Sequence, residues 1–219
     1  GQARGQARGQ GRGGPGRGGQ GRGQGRGQER GQGRYDESRA LTAELGQART
    51  LTELLSLHQR RGNRFDGFNI GAFWTRFKKL PHENPGGLSG LSDRLAPACD
   101  RTVQMLPELG ARTMANIAHA FAKAGLVGSG PYQNVWTALT EVVCRHLGDL
   151  NGQGLSNTAW AFAKGRQAAP ELFPAISAEL VSRGLGDFKE QELSNMAWAF
   201  ATAGHVSPDL FNAISAEAV

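Results

Sequence analysis

Residues 155–164 read LSNTAWAFAK, and the chain says nearly the same thing twice more. The stretch returns as LSNMAWAFAT at 193–202 and as MANIAHAFAK at 114–123, where His119 stands in place of the tryptophan. The helix expected before each copy repeats too: ELFPAISAEL at 171–180 comes back as DLFNAISAEA, 38 residues later. Phe121 and Phe162 are 41 residues apart, Phe162 and Phe200 are 38 apart, and the step back to Phe77 is 44. Loops of unequal length absorb such drift while the helices keep theirs. A helix-turn-helix unit of this size cannot bury its own apolar face, so it has to stack on copies of itself. The prediction is an all-α chain, an α-solenoid of helix-turn-helix repeats of about 38 residues. Apolar residues do not alternate over any useful length, which leaves strands without support.

Around this array the chain divides by composition. The formal net charge is +6, yet residues 1–34 hold eight arginines against one acid, Glu29, so the remaining 185 residues carry a net of −1. Residues 1–34 use almost only Gly, Gln and Arg, and have too little apolar surface to offset the entropy of ordering. The reading is a disordered Gly/Gln/Arg-rich tail over 1–40, followed by a helical array over 41–219. Arginine-glycine segments can contact RNA, and they can equally be solvated extensions. Within the array, 41–90 is a divergent first segment, with a helix at 68–80 and a Pro/Gly-rich loop at 82–90. Regular repeats fill 91–219. Helices are predicted at 93–106, 107–124, 131–147, 153–164, 171–183 and 190–203. A last one starts at Asp209 and is still running at Val219, as in a piece of a longer array.

Turning the repeated helix by 100° per residue separates two faces. Leu155, Ala159 and Phe162 form a core stripe, matched by Leu193, Ala197 and Phe200. On the other face lie Asn157, Trp160, Ala161 and Lys164. The corresponding sets are Asn116, His119, Ala120 and Lys123, and Asn195, Trp198, Ala199 and Thr202. Each copy thus offers an amide, a ring and, in two of three, a cation. Those are the groups that read single-stranded RNA: a ring stacks on a base, an amide bonds a base edge, a cation meets phosphate. The same residues also have a structural reading. Tryptophans fill the space between stacked helices, the asparagines can fix the inter-helix loops, and a helical lysine often does no more than solvate a helix end.

Other chemistry finds no foothold. Cys99 and Cys144 are isolated and the five histidines scattered, so neither a disulfide framework nor a metal site is expected. Gly86-Gly87 and Gly184–Gly186 lack the context of a phosphate-binding loop. No nucleophile-base arrangement can be nominated. The chain is read as a non-enzyme that takes no cofactor, no small-molecule substrate and no membrane.

The unit, with its (A/S)P(E/D)LF helix start and its L(S/A)N-x-AWAFA-(K/T) second helix, resembles the octotricopeptide repeat. It is also similar to the helical arrays of FAST kinase-like and RAP-domain proteins, and to the domain named for RNA-editing substrate-binding complex subunit 6. The AWAFA form is that of algal and dinoflagellate members. The resemblance covers 91–219, with 53–80 like the divergent start of such arrays. It implies binding of single-stranded organellar RNA along successive repeats, in a mitochondrion or chloroplast, for RNA processing, stability or translation. The RNA-contacting residues would be Asn116, His119, Lys123, Asn157, Trp160, Lys164, Asn195, Trp198 and Thr202. No RAP domain and no kinase signature lie in this stretch. The competing expectation is a protein-protein scaffold within a ribonucleoprotein assembly, whose helices touch no RNA.

Overall fold

The computed structural model describes residues 24–81 and 88–217. Among them the chain is all-helical: ten α-helices, three short 3-10 turns and no strand. In order these are α1 (Gln24–Gln47), α2 (Leu51–Arg61), α3 (Gly67–Phe77), α4 (Leu88–Met105), α5 (Ala111–Ala124), α6 (Pro131–Arg145), α7 (Gly152–Lys164), α8 (Leu172–Arg183), α9 (Glu190–Ala203) and α10 (Pro208–Glu217). The chain separates into two units, 1–36 and 37–219, and the packing below is that of the second. Residues 1–23 of the expected tail and residues 82–87 of the expected loop lie outside the described residues.

Local chemistry sets the helix ends. Thr50 caps α2 by accepting from the Glu53 amide at 3.1 Å. Asp66 and Asn69 form a reciprocal capping box at the start of α3, at 3.0 and 3.2 Å. Asn151 caps α7 by accepting from the Gly154 amide at 2.9 Å. Gly125 and Gly204 close α5 and α9 in the left-handed conformation that glycine adopts without steric cost.

Three boundaries differ from the sequence expectation by four residues or more, and others by one to three. Helix α1 begins at Gln24, inside the stretch expected to be disordered, and continues into the turns anchored by the buried Leu41 and Leu45. Helix α4 starts at Leu88, five residues early, and runs through Pro97, whose ring lies on the exposed side. Helix α5 starts at Ala111 rather than 107, because Leu106–Glu108 winds into a 3-10 turn and Leu109 and Gly110 are extended. Pro107 belongs to that turn and not to a helix start.

The helices pack in two series. In one, α3 packs on α5, α5 on α7, and α7 on α9; in the other, α4 packs on α6, α6 on α8, and α8 on α10. Phe77, Phe121, Phe162 and Phe200, the four residues set against one another by spacing, are all fully buried. Each such phenylalanine contributes roughly 1.5–3 kcal/mol by leaving water. Two buried indoles stitch the series together. Trp74 of α3 donates from Nε1 to Thr102 Oγ1 of α4 at 2.8 Å. Trp136 of α6 donates to the Leu126 carbonyl at 2.9 Å and meets Phe121 and Phe162 edge-on at 5.9 and 5.0 Å.

Candidate nucleic-acid interface

Helix α7 shows how the array makes a surface. With α5 on one flank, α9 on the other and α8 behind, it keeps only Gly152, Gln153, Asn157, Trp160 and Lys164 out of the core. The last four follow i, i+4, i+7, i+11, a single narrow stripe. The matching stripe on α5 is Arg112, Asn116, His119 and Lys123, and on α9 it is Gln191, Asn195, Trp198 and Thr202. Ala120, Ala161 and Ala199, expected on this face, are instead fully buried. A helix with neighbours on both flanks has no room for a second solvent-facing row, and alanine is what lets the helices approach.

The stripes meet side by side. His119 and Trp160 have ring centroids 5.1 Å apart at an interplanar angle of 38°, and Trp160 and Trp198 lie 6.3 Å apart at 32°. Because α5 and α9 flank α7 on opposite sides, Trp160 has a tilted ring neighbour from each. Inserting a base would need an opening of about 7 Å, twice the stacking rise, so neither gap admits one as it stands. Trp198, 43% exposed, has the freest ring of the three. The side-chain amides of Asn116, Asn157 and Asn195 are half-buried and make no hydrogen bond among the described residues. Loop fixing falls instead to Asn151, at the start of α7.

Beside the rings runs a row of cations. Lys123 and Lys164 are exposed near the C-terminal ends of α5 and α7. Lys79, just past the end of α3, holds the same register, two residues after Phe77. Lys78 turns inward, and its Nζ lies 3.3 Å from His119 Nδ1. An ammonium group can only donate, so Nδ1 accepts and the imidazole proton sits on Nε2. Burial, then Lys78 and Lys123, push the His119 pKa down to about 4. Burial, then Lys123 and Lys79, lower that of Lys78. These four are among the chain's five lysines, and among the described residues none forms an ion pair.

Acids are scarce on this series, the exceptions being Glu190 and Glu192 in the first turn of α9. The segments α3, α5 and α7 contain no Asp or Glu at all, whereas α4, α6, α8 and α10 each carry one or more. Carboxylates therefore fall mostly on the second series, while arginines and lysines occur on both: Arg94, Arg101, Arg145 and Arg183 on one, Arg76, Arg112, Lys123 and Lys164 on the other. The sequence reading missed Lys78 and Lys79, although setting Phe77 against Phe121 aligns Lys79 with Lys123.

Among the described residues no group of three or more His, Cys, Asp or Glu side chains is placed to hold a metal ion, and no helix is long and apolar enough to cross a membrane. Cys99 and Cys144 are both free, and burial pushes the Cys99 thiol up to about 12. No protein-family model matches the chain.

Proposed function

We propose that this chain is a non-enzymatic, octotricopeptide-like α-solenoid that binds single-stranded RNA along the stripe of α3, α5, α7 and α9, in organellar RNA processing, stability or translation. The observation that carries the reading is the lysine row: Lys79, Lys123 and Lys164, in one register at or just past the C-terminal ends of three successive helices that contain no carboxylate. Like charges aligned without a counter-charge repel one another, and a polyanion relieves that repulsion. Phosphates spaced along a single strand meet such a row naturally. The free amides of Asn116, Asn157 and Asn195 then face the base edges. Stacking in this reading is confined to Trp198, since His119 and Trp160 are engaged with each other.

The test is a titration with a labelled single-stranded RNA oligomer at several salt concentrations, using the full chain and a chain starting at Gln24. Changing Lys123 and Lys164 together to Gln should lower affinity about tenfold or more at low salt and reduce the log-log salt slope by about 1–2. RNA affinity lost entirely with residues 1–23, or a double variant that binds as well as the parent, would instead favour the protein scaffold.

A further inference from the structure

A cleft of about 550 Å³ opens between the C-terminal ends of α7 and α9. Its origin lies in how unequal the repeats are. One step earlier, the indole of Trp136 wedges between Phe121 and Phe162 and lies against Gly165, where an added Cβ would meet the ring at 3.1 Å. The residue of α8 matching Trp136 in burial pattern is Phe173. It reaches Phe200 edge-on at 5.2 Å and is smaller than an indole; the His205 ring packs beside both, 6.1 Å from Phe173 and 5.6 Å from Phe200, and the cleft opens outside them.

The mouth of the cleft carries a second irregularity. The repeated helix ends FAKAG in α5 and FATAG in α9, with Gly125 and Gly204 left-handed, but FAKGR in α7. Trp136 requires the bare Gly165, and the left-handed position passes to Arg166, at φ 51°, the sole non-glycine residue with positive φ among those described. Such a backbone is strained for a side chain other than glycine. Arg166 is exposed, two residues from Lys164, and lines the cleft with Gln167, His205 and Thr202, the last a member of the stripe. Ala168, Ala169, Pro170 and Ala203 add apolar lining, the buried Phe162 and Phe173 lie behind it, and no carboxylate lines the cleft.

We infer that this cleft takes one nucleobase of a bound single-stranded RNA, with Arg166 and Lys164 holding the adjoining phosphate. The assignment rests on the RNA reading above and deepens it. A nucleobase is flat and apolar on its faces and polar on its edges, matching a lining that mixes apolar side chains with amide, imidazole and hydroxyl groups. The phosphate it carries accounts for the exposed Arg166 on the cleft wall, with Lys164 two residues before it in the chain, and Thr202 joins the cleft to the stripe. The strain at Arg166 is that of a backbone position kept for its guanidinium.

The experiment compares binding by the full chain of a labelled RNA oligomer and of an abasic ribose-phosphate oligomer of equal length. Arg166→Gly should raise the melting temperature by about 2–4 °C, since glycine suits the conformation. The same variant should weaken RNA binding about fivefold to tenfold and lower the salt slope by about 1. Ala203→Phe, which fills the cleft without altering charge, should weaken RNA binding while leaving the abasic oligomer unaffected. Unchanged RNA affinity in both variants, with Lys123 and Lys164 still required, overturns the cleft and leaves the stripe standing. Equal losses for both oligomers in Ala203→Phe likewise remove the base from the cleft. If the parent chain binds neither oligomer at any salt, the RNA reading fails and the cleft with it.

Discussion

His119 occupies the place that Trp160 and Trp198 fill in the neighbouring repeats, and its ring is kept neutral by burial and by Lys78 and Lys123. Its folded pKa of about 4 lies below the unfolded value of 6.5. As pH falls from 6.5 towards 4 the unfolded chain takes up the proton first, so stability is full above 6.5 and drains away through that window. His58, buried against Phe65 and Phe73, is shifted in the same direction by its own burial and then by Arg101. His119→Trp, the residue of the sibling repeats, should make the urea midpoint fall less steeply than in the parent between pH 6.5 and 4.5. Equal slopes would show that His119 contributes nothing to acid sensitivity. At this scale the chain was readable where a residue's fate depends on its own helix: the buried phenylalanines and the exposed Lys123 and Lys164 follow from spacing alone. It was not readable where two helices must meet. The Lys78–His119 contact and the mutual covering of the rings are facts about neighbours. Arg166 was visible in principle, by laying FAKGR beside FAKAG and FATAG.

Helix α4 carries Pro97 ten residues into its length, where proline removes an amide and leaves the Asp93 carbonyl without its helical partner. The helix accepts this because the ring faces solvent, and because the opposite side is held by Leu91, Leu95, Ala98 and Cys99. Pro97→Ala should restore the hydrogen bond and raise stability by about 1–2 kcal/mol in urea unfolding, after the smaller loss of proline's stiffening of the unfolded chain. A lower midpoint would mean the proline sets a bend that the packing on α6 needs. Periodicity found the helices of the repeats, because a 3.6-residue pattern survives any context, and it found α9 with its bounds intact. Ends were harder. The 3-10 turn at Leu106–Glu108 reads like a proline-led helix start, and only the extended Leu109 and Gly110 separate the two. Ala120, Ala161 and Ala199 were placed on the wrong side because a two-face wheel assumes one packing partner, whereas α5 and α7 have helices on both flanks.

Across residues 37–219, each helix of a series touches mainly the one before and the one after, so protection should follow neighbour number. Helix α7 has a flanking helix on either side and eight buried residues, while α10 buries Leu210 alone. Hydrogen exchange followed by mass spectrometry should find α7 amides roughly a hundredfold slower than those of α10. Comparable rates would mean that the whole stack opens as one body. Charge at this scale was half-legible: the acid-free helices can be counted along the chain, but their alignment on one series needs the fold. The wedge of Trp136 has a last consequence. Because α6 carries it and α8 does not, the units are not interchangeable bricks. A tandem duplication of α6 and α7 would copy a sealed joint, and one of α8 and α9 would copy an open one.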